Sequence, residues 1–383
     1  MDFAESAEHV MLRSAVAGVV GGFGHEYFAR QIKSQGHTHE LWEALGAGGF
    51  IGVNLPEQFG GGGQGIAELS IVCEETAAGG CPLLLLLVSS AICGEILKRY
   101  GSPEQQLRWL PPLAAGTDRM VFAITEPDAG SNSHNISTRA ERDGDSWRLS
   151  GNKYYISGVD EASAVLVVAR TGQDPEGRAE LSLFVVDTDS PGMHCTPIAV
   201  EVNIPERQFQ VHFDDVHVDG DRLIGGVGAG LRALFTGLNP ERITGAAIAN
   251  GVGRYALAKA SRYARERQVW SVPIGAHQGI AHPLATAAIE LELARLMTSK
   301  AAWMHDAGLD AGEASNMAKF AAGDASLAAL DASIQAHGGN GMSSEYGLAD
   351  MWGLVRLLRI APVSREMVLN YVAQHTLGLP RSY

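Results

Sequence analysis

Positive charge is scarce in this chain: 29 Lys and Arg stand against 43 Asp and Glu, a formal net charge of −14. Nucleic-acid binding needs a basic footprint, so that class is excluded. An anionic cofactor is not, since a few local arginines and helix N-termini can hold phosphates. Cysteine is also scarce. Cys73, Cys81, Cys93 and Cys195 show neither CxxC spacing nor the density of a disulfide framework, which suits a reducing cytoplasm. The opening stretch carries Asp2, Glu5 and Glu8 where a signal peptide needs positive charge. The longest apolar run, PLLLLLVSSAICG at 82–94, is too short to span a bilayer and reads as a buried helix.

Several catalytic signatures are missing too. There is no GxSxG elbow and no Cys/His pairing that favours a thiol nucleophile. His37 and His39, and the scattered His277, His282 and His305, lack a carboxylate or cysteine at helical spacing, so solvated or capping roles fit better than a metal. FGGGGQG (59–65) contains GxGxxG at Gly60, Gly62 and Gly65, but it follows the turn-like LPEQ rather than a strand. GGVGAG (225–230) follows a strand-like run with the wrong glycine spacing. Neither supports a dinucleotide-binding βαβ unit.

What is present is a change of period. The chain of 383 residues is long enough for two or three packed units. Residues 1–116 carry helical apolar spacing broken by glycines; GSPEQQLRWLPPL (101–113) supplies Ser102 as N-cap, Pro103, and a double proline as stop. From about 117 to 222, short β-rich runs such as WRLSGNKYYISG, ASAVLVVAR, LSLFVVDT and FQVHFDDVHV follow one another without helices between them, as antiparallel strands do. From 230 onward the chain is helical again, with periodic segments at 241–268, 282–307 and 313–337. Helical, β, helical is an α+β order: an N-terminal helical domain (1–116), a middle antiparallel β-domain (117–229) and a C-terminal helical domain (230–383).

The stretch NPERITGAA (239–247) has the form of a helix start. Asn239 is placed to accept a hydrogen bond from an unpaired amide, Pro240 loses nothing at a first helical position, and Glu241 favours the positive end of the macrodipole. Read locally, Glu241 is a helix-starting carboxylate paired with Arg242.

A series of motifs puts that stretch in a wider context. YGSPEQQLRWLPPLAAG, TEPDAGS, LSGNKYYISG, FDDVHV, GGVGAG, YARERQVWSVPIGAHQ (263–278) and QAHGGNGM (335–342) occur in one order. The whole series, from residue 1 to about 375, resembles the acyl-CoA dehydrogenase family of flavoproteins. The resemblance implies a helical domain, a β-domain and a C-terminal four-helix bundle, with FAD held between the last two in a homotetramer or homodimer. It implies removal of an α-proton and a β-hydride from an acyl-CoA thioester, the hydride passing to flavin N5 and the electrons to an electron-transfer flavoprotein.

Residue by residue, the resemblance places Phe122, Ile124 and Thr125 beside the flavin ring and Ser131 against the CoA part of the substrate. Tyr155 and Ser157 stand where the family usually has Trp and Thr or Ser covering the flavin. Arg267 and Gln278 match positions that reach FAD across a subunit interface, and Gln335 and Gly339 match the reciprocal contacts. R-Q-V-W-S replaces the usual R-x-x-F-G after Arg267, which puts the shape of that turn in question. Ser364 and Glu366 fit the T/S-x-E that closes over the adenosine end.

One departure is serious. In RIAPVSREM (359–367) the position of the usual catalytic Glu is Pro362, which offers neither a carboxylate nor an N–H to polarise the thioester carbonyl. The amide of Val363 is the nearest substitute. Family members resembling isovaleryl-CoA and long-chain acyl-CoA dehydrogenases carry the Glu in an E-R pair on the first helix of the C-terminal domain. Glu241–Arg242 supplies that pair, making Glu241 the expected base and Arg242 a substrate-side residue, with Glu366 a second candidate base. Pro362 also leaves open a flavin oxidase or monooxygenase of the same fold, and a subunit of a hetero-oligomeric dehydrogenase is a third reading. The acyl group is not specified by these residues.

Overall fold

The structure, a computed structural model, describes residues 4–173 and 177–381; Asp2 lies outside them. Six helices open the chain: α1 (Ala7–Gly21), α2 (Gly24–Ser34), α3 (His39–Ala47), α4 (Ile66–Ala78), α5 (Glu95–Tyr100) and α6 (Pro103–Ala115). The apolar run at 82–94 is helical and buried, but Leu86–Gly94 is wound as a π-helix that runs directly into α5. π-Helical turns concentrate at functional sites.

Ser102 caps α6 as its sequence predicts, in a reciprocal box with Gln105: the Gln105 amide donates to Ser102 Oγ at 3.2 Å and the Ser102 amide to Gln105 Oε1 at 2.8 Å. The double proline does not stop this helix. Pro111 and Pro112 lie inside it, and it ends at Gly116, whose φ of 70° only glycine takes without strain. Two missing amides near a C-terminus cost less than the packing of Trp109, Leu110 and Leu113 supplies.

The β-region is one mixed sheet. Its strands are β1 (Met120–Ala123), β2 (Arg139–Asp143), β3 (Ser146–Ser157), β4 (Ala164–Gln173), β5 (Ala179–Asp187), β6 (Met193–Ile198), β7 (Gln208–Val218) and β8 (Leu223–Ile224). The order is β6-β7-β3-β2-β4-β5-β8, with β1 paired to β4. Most pairs are antiparallel, as the closely spaced strands predict. β1 departs from that pattern and runs parallel to β4, Phe122 opposite Leu166. It enters from the helical domain rather than from a hairpin, so it is free of the antiparallel constraint.

The C-terminal region holds three long helices, α7 (Gly230–Glu266), α8 (Gln278–Asp306) and α9 (Gly312–His337). The shorter α10 (Trp352–Ile360) completes the four, and α11 (Arg365–Tyr371) follows it. A hairpin of β9 (Gln268–Val269) and β10 (Val272–Pro273) joins α7 to α8. α7 is the hub: it packs against α8, α9, α4 and the π-helical segment. One continuous core of buried side chains links all three regions. Among the described residues no helix is long and apolar enough to cross a membrane, and no group of three or more His, Cys, Asp or Glu is arranged to hold a metal ion.

The largest correction concerns Asn239 and Pro240. α7 begins nine residues before Asn239, at Gly230, so neither residue starts a helix. The Asn239 side chain instead accepts from Arg242 Nη1 at 3.0 Å and Ser315 Oγ at 3.2 Å. Pro240 is buried inside the helix. Ala233, Leu234 and Gly237 upstream are buried as well, and their packing sustains the helix through a residue that lacks an amide.

Candidate active site

Glu241 lies on the face of α7 that meets the π-helical segment. Gly237 and Gly245, one turn to either side, are the points of closest approach. A Cβ at Gly237 would stand 2.9 Å from Ile96 Cδ1, and one at Gly245 would stand 3.3 Å from Leu87 Cδ1 and 3.7 Å from Pro362 Cδ. The chain therefore brings Pro362 to the same helix face as Glu241, although about 120 positions separate the two in sequence.

Glu241 is half-buried. That burial pushes its carboxyl pKa up to about 7, and the positive charges of Arg242 and Lys319 offset only part of the effect. The Cys93 thiol across the interface is pushed up by its own burial and, to a lesser degree, by the Glu241 charge. Arg242 is lowered by burial, against the charges of Glu241 and Tyr371.

The TEPDAGS loop is fixed by a residue that sequence reading passed over. Glu126 accepts from the Ser137 amide (2.7 Å) and hydroxyl (2.6 Å), the Thr138 amide (2.9 Å) and Lys153 Nζ (2.9 Å). Burial works against its charge, but Lys153 and these donors hold its pKa at about 2. Lys153, fully buried, also donates to the Ile124 carbonyl at 2.9 Å, and burial lowers its pKa to about 8. The Tyr154 amide donates to the Thr125 carbonyl at 2.8 Å. Ile124 and Thr125 are thus pinned to β3, half-buried beside Phe122 on β1. The signal was a glutamate and a lysine inside two recognised motifs, TEPDAGS and LSGNKYYISG, whose pairing needs the fold to be seen.

Tyr155 has φ 58° and is 54% exposed, at an irregularity where β3 slips register against β7 between Lys153 and Ile156. Bulges re-aim side chains, and this one turns an aromatic ring outward. Two residues on, Ser157 Oγ donates to Gln208 Oε1 at 3.0 Å. Ser131 is exposed further along the TEPDAGS loop.

The remaining sequence-predicted residues lie elsewhere on the C-terminal helices. Arg267 caps α7 and Gln278 opens α8, at the two ends of the β9–β10 hairpin; both are exposed. Gln335 and Gly339 are exposed at the far end of α9 and just beyond it. Ser364 caps α11, its Oγ accepting from the Met367 amide at 3.2 Å, and Glu366 is exposed in the first turn. The side chains of Arg267, Gln278 and Gln335 have no hydrogen-bond or ion-pair partner among the described residues.

Lys319 on α9 is another residue that sequence reading missed. It is 2% exposed, and Nζ donates to the carbonyls of Arg359 (3.1 Å) and Val363. A buried lysine in an Ala-rich helix carries no local signal of its role.

Three comparisons bear on this arrangement. Family models described as acyl-CoA dehydrogenase N-terminal, middle and C-terminal domains match residues 6–117, 121–216 and 228–377. The acyl-CoA dehydrogenase FadE12 of Mycobacterium tuberculosis is 56% identical over 383 residues, covering 100% of this chain and 99% of that protein. A solved glutaryl-coenzyme A dehydrogenase–glutaryl-CoA complex superposes with a TM-score of 0.94 at 30% identity, covering 100% of this chain and 98% of the other. A glutaryl-CoA dehydrogenase from Mycobacterium smegmatis in complex with FADH2 gives 0.92 at 25% identity, covering 99% and 96%.

Proposed function

The chain belongs to the acyl-CoA dehydrogenase family, and from that premise we propose that it α,β-dehydrogenates an acyl-CoA thioester with FAD as cofactor and Glu241 as the base. The residues around β3 fit a flavin: an aromatic ring turned outward at Tyr155, hydroxyls at Thr125 and Ser157, and the buried wall of Phe122. FAD, when bound, supplies the two-electron acceptor for the hydrogen that leaves Cβ. Arg267, Gln278 and Gln335, which lack partners among the described residues, suit its polar end when supplied by a second copy of the chain. An apolar stripe on α8 supports such assembly as a homotetramer. Ile289, Leu293, Leu296 and Trp303, spaced to share one helix face, are all exposed.

The observation that carries the reading is the environment of Glu241. A carboxylate that abstracts an α-proton works best with a pKa near the operating pH, and burial brings Glu241 to about 7. Arg242, held by Asn239, keeps a positive charge beside it. The facing side chains Leu87, Ile92 and Ile96 are apolar and suit a hydrocarbon acyl chain. Pro362 cannot take a proton, and Glu366 stands exposed at a helix start, where nothing desolvates it. Ser131 suits the CoA side of the substrate, and an electron-transfer flavoprotein suits the role of acceptor.

The test is a panel of acyl-CoAs added anaerobically to the FAD-loaded protein. Bleaching of the flavin, with a product two hydrogens lighter, supports the proposal; no bleaching across short, branched and long chains overturns it. Pro362 favours one other reading, an oxidase of the same fold. Rapid reoxidation of the reduced protein by oxygen while product is bound would select it.

A further inference from the structure

The segment 359–365, which carries Pro362, is held to α9 at both ends. Asp324 pairs with Arg359 Nε at 2.6 Å and with Arg365 Nε at 3.1 Å. Between these pairs, Lys319 donates to the carbonyls of Arg359 and Val363, the residues that bracket Ala361–Pro362. Lys319 is therefore a buried cation that touches this segment's backbone on both sides of Pro362. Its charge also acts on Glu241.

From this geometry we infer that Lys319 is a positioning residue: it fixes the Pro362 segment against Gly245 on α7 and supplies the positive charge that keeps Glu241 ionised enough to act as base. The inference rests on the assignment of Glu241. A neutral donor could bond the same carbonyls, but it would bring no positive charge to favour the ionised form of a neighbouring carboxyl. A lysine does both, and only the second effect reaches the chemistry.

The groups facing Lys319 come from every element around it. Glu241 and Arg242 face it from α7 and Asp324 from its own helix. Glu366 faces it from α11, and the Arg359 and Val363 carbonyls from the α10–α11 connection. Burial and Arg242 disfavour its charge, while Asp324, Glu366 and Glu241 favour it, and its pKa lies at about 8. It is thus mostly protonated at the midpoint of the Glu241 titration.

The experiment compares kcat/KM against pH for FAD-loaded wild type, Lys319→Met, Lys319→Gln and Lys319→Arg, with Glu241→Gln as reference. Loss of the charge should raise the pKa of Glu241, moving the acid limb up by about one pH unit in the Met and Gln variants and slowing them about tenfold on that limb. Lys319→Arg should return the limb to its wild-type position. Two neutral side chains of different polarity are used so that poor folding of one leaves the other to report. An unmoved limb in a neutral variant that melts at a lower temperature overturns the inference and leaves a purely structural lysine. The outcome in which Glu241→Gln turns over like wild type is different: it removes the base assignment itself.

Discussion

Helix α7 carries charge at two buried places thirteen residues apart, about 20 Å along the axis, and the two are built in opposite ways. Toward its C-terminal half, Arg254 joins Arg13 of α1 and Arg295 of α8 around Glu74 and Glu75 of α4. Arg13 Nη1 lies 2.8 Å from Glu74 and 2.6 Å from Glu75; Arg254 Nη1 lies 2.5 Å from Glu75, and Arg295 Nε 2.6 Å from Glu74. Burial would raise the Glu74 pKa, but the three arginines overcome it and hold the carboxyl below its usual range. Around Glu241, burial wins instead, and no ion pair forms with either neighbouring cation within 4 Å among the described residues. A buried acid that is over-compensated binds helices together. One left under-compensated is poised to take up a proton near neutral pH. On the proposed reading, the same helix is a clamp at one end and a reagent at the other.

Substitutions that neutralise each acid should separate the two roles. The largest effect expected is on rate: Glu241→Gln should lower dehydrogenation by roughly 10²–10⁴-fold, with FAD still bound, measured by anaerobic flavin bleaching. Glu74→Gln should instead cost stability. It removes the carboxylate that three half-buried arginines share, leaving Arg13 with Glu5 and Glu75, Arg254 with Glu75 and Arg295 with Glu292, at a cost of about 1–3 kcal/mol. Denaturant unfolding reads that loss, and turnover of the folded protein should survive it. If Glu74→Gln abolished turnover at full stability, the division of labour along α7 would fail.

pH sharpens the comparison because the signs differ. Glu74, with a depressed pKa, contributes stability that is present above the unfolded value near 4.5 and is lost as pH falls through the folded value. Glu241, raised to about 7, costs stability that grows as pH climbs from 4.5 to 7 and then levels off. Glu241→Gln should therefore be more stable than wild type by about 1–3 kcal/mol at pH 8 and no more stable at pH 4. On the same ground, wild-type kcat/KM should rise with pH to a plateau above about 7, since only the ionised carboxylate accepts a proton.

The smallest effect expected is from Gly245→Ala. The new methyl would meet Leu87 at 3.3 Å and Pro362 at 3.7 Å, so the neighbours must yield by a few tenths of an ångström. Alanine's better helix propensity, worth about 1 kcal/mol, offsets that crowding. Stability should stay within about 1 kcal/mol, while a raised KM for bulkier acyl chains would report the narrowed slot.

Long-range order was more legible in the sequence than local ends. The helical, β, helical sequence of periods is visible because it is repeated over a hundred residues at a time, and packing rarely overturns so extended a pattern. Single-residue punctuation proved weaker. Asn239–Pro240 and Pro111–Pro112 both have the composition of a boundary, and both lie inside helices because buried neighbours outweigh a lost amide. The π-helical winding of Leu86–Gly94 leaves no mark in an apolar run. At the site, Glu241 stands out by its motif, but its burial is not legible there, since that depends on segments distant in sequence packing against α7. Glu126, Lys153 and Lys319 act through backbone carbonyls and amides, and such partners have no sequence signature.

Pro240 has a further consequence for how α7 breathes. Without an amide at position 240, the carbonyl of Thr236 receives no rung of the helical ladder from it, and Gly237 adds no side chain to brace the gap. The first ten residues, with Leu231 and Phe235 exposed, are joined to the rest by one ladder bond fewer than an unbroken helix would have. Amide hydrogen exchange should accordingly divide α7 in two, fast before the proline and slow after it. Fraying would then run up to the residue beside Glu241 and halt there, so that the outer turns loosen while the carboxylate stays anchored to the slow-exchanging half.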